Sequence, residues 1–158
     1  MSKGLMQAVF VGLVMGLVMI VAPSSSARQS AMSQLADGVL VYLGVMPTAT
    51  MLEHKADYPG HFPNERVPTG KNVHHVMLAL FDNLSGERIT DADVDARISP
   101  LRLVGPKKHF HTMTEAGAPT YCAYFTLSPR DRYVIHVTVS RPQMTELVEA
   151  EFECPLHE

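Results

Sequence analysis

Apolar and polar residues alternate one for one along most of this chain. Period two marks a strand with one face buried and one face wet, because successive side chains of an extended backbone point to opposite sides. The clearest case is residues 88–98 (RITDADVDARI), where Ala92, Val94, Ala96 and Ile98 alternate with Asp91, Asp93, Asp95 and Arg97. In residues 132–140 the inward row is Tyr133, Ile135, Val137 and Val139, and in 147–154 it is Val148, Ala150, Phe152 and Cys154, with Glu149, Glu151 and Glu153 outward. Residues 39–46 (VLVYLGVM) and 73–81 (VHHVMLALF) are more continuously apolar, and 107–113 and 120–127 complete the set. Turn residues separate the runs, as in DNLSGE, SPLRLVGP, EAGAP and LSPRD. No segment past the N-terminal leader has helical periodicity. About seven short strands at this spacing predict an all-β fold, an immunoglobulin-like antiparallel β-sandwich. The chain has no tryptophan, so it is not a true antibody domain.

The N-terminus reads differently. A basic start (Lys3), an apolar run over 8–22 and the small-residue stretch Ser24, Ser25, Ser26, Ala27 predict a cleavable signal peptide over 1–27. An uncleaved anchor needs about 20 apolar residues, and this run is shorter and interrupted by Gly12 and Gly16. The expected layout is therefore a signal peptide at 1–27, a flexible mature N-terminus at 28–38 and a sandwich domain at 39–158. That predicts a periplasmic or secreted protein with no membrane span after cleavage. Within the domain, residues 47–72 hold four prolines and two glycines and predict a long loop, of the kind that is usually functional or disordered.

Composition narrows the class. Cleavage removes Lys3 and leaves 12 basic against 16 acidic residues, a net charge of −4. Such a surface does not attract nucleic acid. Two cysteines remain, Cys122 and Cys154. An oxidising exterior permits a disulfide between them, and two buried thiols are the alternative. No Cys-x-x-Cys redox pair occurs.

The stretch HHVMLALFDNLSGERITDADVDARI, followed by YCAYFTLSPRDRYVIHVTV, resembles the YtkA-like and FixH-like group of exported immunoglobulin-like domains. The likeness covers residues 73–139. Its hairpin positions fall on Asp82, Gly86, Ile89, Asp91, Ala92 and Val94, all turn or core residues. The resemblance implies the sandwich and export, with metal handling as an association of the group. The long loop before His74 lies outside it.

Candidate chemistry centres on histidine and methionine. The eight histidines are many for 158 residues, and Met46, Met51, Met77 and Met113 each lie near one in sequence. Read as a strand, KKHFHTM puts His109, His111 and Met113 on one face, and His75 with Met77 share a face of their own strand while His74 takes the opposite phase. Imidazole suits Cu(II) and thioether suits Cu(I), so copper accounts for the mixture best, with zinc as the rival ion. The predicted metal ligands are His109, His111 and Met113, with His74 or His75 completing the set and Met51 and His54 closing it from the loop. His61 lies in the same loop, His136 faces solvent and His157 sits in the tail. A solvated strand face with a core methionine is the bland alternative.

Other chemistries fail on inspection. DADVD begins like a calcium loop, but Ala96 stands where glycine is needed and Arg102 where a bidentate carboxylate is needed. No Gly-x-Ser-x-Gly, His-Glu-x-x-His or phosphate-cradling glycine loop occurs, so the protein is not expected to be an enzyme. The reading is a periplasmic protein that binds a transition metal, copper first, for storage, delivery or buffering. The alternative is a non-catalytic interaction module with an envelope protein partner.

Overall fold

A computed structural model describes residues 32–53, 67–115, 117–142 and 144–155. The expected signal peptide, His54, His61 and His157 lie outside the described residues. The fold is an all-β antiparallel sandwich of eight strands: β1 (Ser33–Ala36), β2 (Val39–Pro47), β3 (Val73–Asp82), β4 (Asp93–Pro100), β5 (Lys107–Glu115), β6 (Ala118–Thr126), β7 (Arg132–Ser140) and β8 (Val148–Pro155). A short helix, α1 (Thr48–Glu53), follows β2. No helix among the described residues is long and apolar enough to cross a membrane.

The strands pair in the order β1-β2-β3-β6-β5-β4-β7-β8. One continuous sheet becomes two layers because β5 changes partner along its length. Its first half pairs with β4 from Lys107 to Phe110, and its second half with β6 from His111 to Glu115. The free edges come together at the other side, where the Glu151 amide donates to the Gln34 side-chain oxygen at 2.7 Å. That contact satisfies an edge amide that would otherwise template pairing with another chain.

The period-two pattern places the core. Val76, Leu78 and Leu80 of β3 and Tyr121, Ala123 and Phe125 of β6 face Val94, Ala96 and Ile98 of β4 and Ile135, Val137 and Val139 of β7, all buried. Two tyrosines tie loops to this core through their hydroxyls: Tyr121 accepts from the Ala92 amide at 2.9 Å and Tyr133 from the Ser128 amide at 2.6 Å. Both cysteines are buried thiols, so the disulfide left open by the sequence is not formed. Cys154 belongs to the core and burial pushes its thiol pKa up.

Two elements correct the sequence reading. The segment 28–38, read as flexible, contributes β1, paired with β2 through a two-residue turn at Asp37 and Gly38 whose φ angles are 43° and 80°. Asp-Gly with both φ positive is the turn whose twist matches a hairpin. β1 is short and half-exposed, with two polar residues followed by Leu35 and Ala36, so it carries no hydrophobic alternation to announce it. The segment 47–72, read as a loop, begins with the last residue of β2 and then α1, which buries Thr48 and Met51. Six residues are too few for helical periodicity to show.

Candidate metal centre

In β3 the inward row is Val76, Leu78 and Leu80, so His75 and Met77 point to the outer face of the sheet. Sheet register carries that face sideways. Met46 of β2 stands opposite His75, which in turn stands opposite Tyr124 of β6. One row along, Gly44, Met77, Cys122 and His111 are successive partners across β2, β3, β6 and β5. Met113 follows on β5, opposite Thr120. Directly opposed side chains have Cβ atoms about 5 Å apart, so a thioether, a thiol and an imidazole stand in line on three adjacent strands.

The row runs from a covered side to an open one. His75 is fully buried and stacks on the Tyr124 ring with centroids 4.9 Å apart. Cys122 is also buried, yet it is not a member of the core cluster between the layers. Met77 is half-buried, and its methyl lies 3.1 Å from where a Cβ on Gly44 would sit. Glycine at that position gives the methionine its room. His109 and His111 are exposed, with ring centroids 5.6 Å apart and nearly perpendicular.

Asp95 of β4 anchors the open end. It pairs with His109 in register, and its carboxylate lies 3.3 Å from His109 Nδ1 and 2.9 Å from Lys107 Nζ. The hydrogen bond from Lys107 holds the Asp95 carboxyl below its ordinary pKa, and His109 adds to the effect. A carboxylate on Nδ1 orients an imidazole and leaves Nε2 as the coordinating nitrogen.

His109, His111 and Met113 therefore share a face, and His75 shares it with them. Their strands are not neighbours, because β6 lies between β3 and β5. His74 takes the opposite phase, with Nδ1 3.0 Å from the Asn72 carbonyl. Met51 is buried on α1, which packs on β2 and β3. His136 is exposed on β7, with Nδ1 3.1 Å from a Glu151 oxygen.

Sequence reasoning missed Cys122. Its neighbours Tyr121 and Ala123 are both apolar, so local alternation does not give its phase. The longer row Tyr121, Ala123, Phe125 and Leu127 does, and it turns Cys122 outward. Among the described residues no three His, Cys, Asp or Glu side chains are arranged to hold a metal ion.

No protein-family model matches the chain, and no curated protein matches its sequence. Solved structures do match its backbone. The fold is shared with FetP. A copper-bound variant of FetP from uropathogenic Escherichia coli superposes with a TM-score of 0.61 at 9% identity, over 78% of this chain and 93% of FetP. As-isolated FetP, recombinantly expressed in the periplasm of E. coli, gives 0.59 at 10% identity over 77% and 89%. A DUF4426 family protein from Pseudomonas aeruginosa gives 0.53 at 16% identity over 80% of this chain and 98% of its own. At these identities the likeness establishes the fold alone.

Proposed function

We propose that this is an exported, periplasmic copper-binding protein that stores, delivers or buffers the ion, using donors on the outer face of β2, β3, β6 and β5. The observation that carries the reading is the register of Met77, Cys122 and His111 on three adjacent strands. Thiolate and thioether are soft ligands that select Cu(I), and imidazole suits Cu(II). The buried end of the row, Met77 and Cys122 with Met46 and His75 beside them, fits the reduced ion. The open end, His111 with His109 oriented by Asp95 and with Met113 alongside, fits the oxidised ion or zinc. The copper-bound state of a FetP variant with this fold supports the choice of metal, and the hairpin likeness to exported YtkA-like and FixH-like domains supports the compartment.

Titrating the metal-free protein with Cu(I) under anaerobic conditions and with Cu(II) in air tests this. Met77→Leu with Cys122→Ser should weaken Cu(I) binding by at least about tenfold, and His109→Ala with His111→Ala should do the same for Cu(II). Unchanged stoichiometry and affinity in both double variants would remove the site. The rival reading, an envelope interaction module, has its own observation in the exposed loop between β4 and β5.

A further inference from the structure

Between β4 and β5 the chain runs Leu101, Arg102, Leu103, Val104, Gly105, Pro106. Leu101 is 54% exposed, Leu103 68% and Val104 85%. Single exposed aliphatic residues are ordinary. Three within four positions, at the tip of a connection, form a protruding apolar point.

The backbone holds that point outward. The Leu101 amide donates to the Arg132 carbonyl at 2.8 Å and the Leu103 amide to the Pro100 carbonyl at 2.9 Å. Gly105 donates to the Ser99 hydroxyl at 3.0 Å and accepts from the Arg97 guanidinium at 2.9 Å. Arg102 adopts φ 71°, a conformation that costs a non-glycine residue. The loop is thus tied down on both sides, and its aliphatic side chains are presented to solvent rather than folded back on the sandwich.

Charge divides along the strand axis. The end bearing this loop also carries Lys71, Lys107, Lys108, Arg130 and Arg132, together with Arg102 itself, against Asp131 and Glu153. Around it, Lys107 is paired with Asp95 and Arg132 with Glu153, while Lys71, Arg102 and Arg130 are exposed. The opposite end carries Asp37, Asp82, Glu87, Asp91, Asp93 and Glu146 against Arg88 and Arg141. The net charge of −3 conceals this separation.

We propose that the β4–β5 loop docks the protein on an anionic phospholipid surface, with Leu101, Leu103 and Val104 entering the headgroup and acyl boundary and Arg102, Arg130 and Lys71 meeting the lipid phosphates. An apolar point within a cationic surround is the combination that binds such interfaces, since aliphatic burial and attraction to anionic headgroups add. A nucleic acid has no use for the aliphatic tip. The acidic opposite end points away from the membrane. The proposal rests on nothing in the metal site.

The absence of tryptophan from the chain makes a local test available. Val104→Trp places a unique fluorophore on the tip, and Leu84→Trp places one at the acidic end, where Leu84 is 95% exposed. Mixed phosphatidylglycerol and phosphatidylcholine vesicles should shift V104W emission to the blue and leave L84W unmoved. Phosphatidylcholine alone should shift neither. Adding Arg102→Glu and Arg130→Glu to V104W should weaken vesicle binding by at least about tenfold. The proposal is overturned if V104W emission stays fixed with anionic vesicles, if L84W shifts equally, or if V104W shifts with protein concentration alone, which would make the tip a contact between copies of this chain. Because the readout is local to each residue, the apolar leader common to both variants does not obscure it.

Discussion

Asp95 shows how one residue joins the sheet pattern to the candidate site. It occupies the wet phase of β4, accepts from Lys107 and orients His109. Its pKa is lowered first by the Lys107 hydrogen bond; burial opposes this as the next largest effect, and the Lys107 charge with the hydrogen bond and charge of His109 lowers it further. A carboxyl with a depressed folded-state pKa stabilises the fold at pH values above its unfolded pKa, and that contribution is lost as pH falls through the folded value. The pair is more than a third exposed, so the gain is small and screened by salt. Lys107→Ala should raise the Asp95 midpoint toward the ordinary carboxylate value in an NMR titration, and an unmoved midpoint would show that the ion pair does not hold it. The phase of Asp95 was legible from DADVDAR, because acids alternate there with apolar residues. That of Cys122 was not, because β6 buries its inner row and part of its outer row alike.

The elements differ in how openly their sequences declare them. β4, β7 and β8 were readable residue by residue, since each buries one face and wets the other. β1 is four residues long with no alternation, and only its Asp-Gly turn marks it. Glycines in two connections hold their places for different reasons. At Gly38 an added Cβ would meet nothing within 4 Å, so only its φ of 80° resists a side chain. At Gly105 an added Cβ would lie 1.6 Å from the Ile98 carbonyl oxygen. Denaturant unfolding should therefore rank the substitutions: Gly38→Ala costs about 1 kcal/mol and Gly105→Ala about 3 kcal/mol or more. Equal losses would mean that the β4–β5 loop relaxes freely, which would also weaken the case for a rigidly presented tip.

At the scale of the whole molecule, both layers share one core, so damage to either should be felt as a single loss of stability. Ile135, fully buried on β7, is a direct probe. Ile135→Ala should cost about 2–5 kcal/mol in one cooperative transition, and separate transitions for the two layers would contradict the shared core. Strand alternation by itself determined the fold class, the inward rows of three strands and the shared face of His109, His111 and Met113, because period two is a local property of an extended backbone. Only the tertiary structure decided which strands are neighbours. That Cys122 stands between Met77 and His111, and that basic and acidic residues gather at opposite ends, follows from pairings between residues distant in the chain. Alternation assigns a side chain to a face. It carries no term for what lies beside it across the sheet.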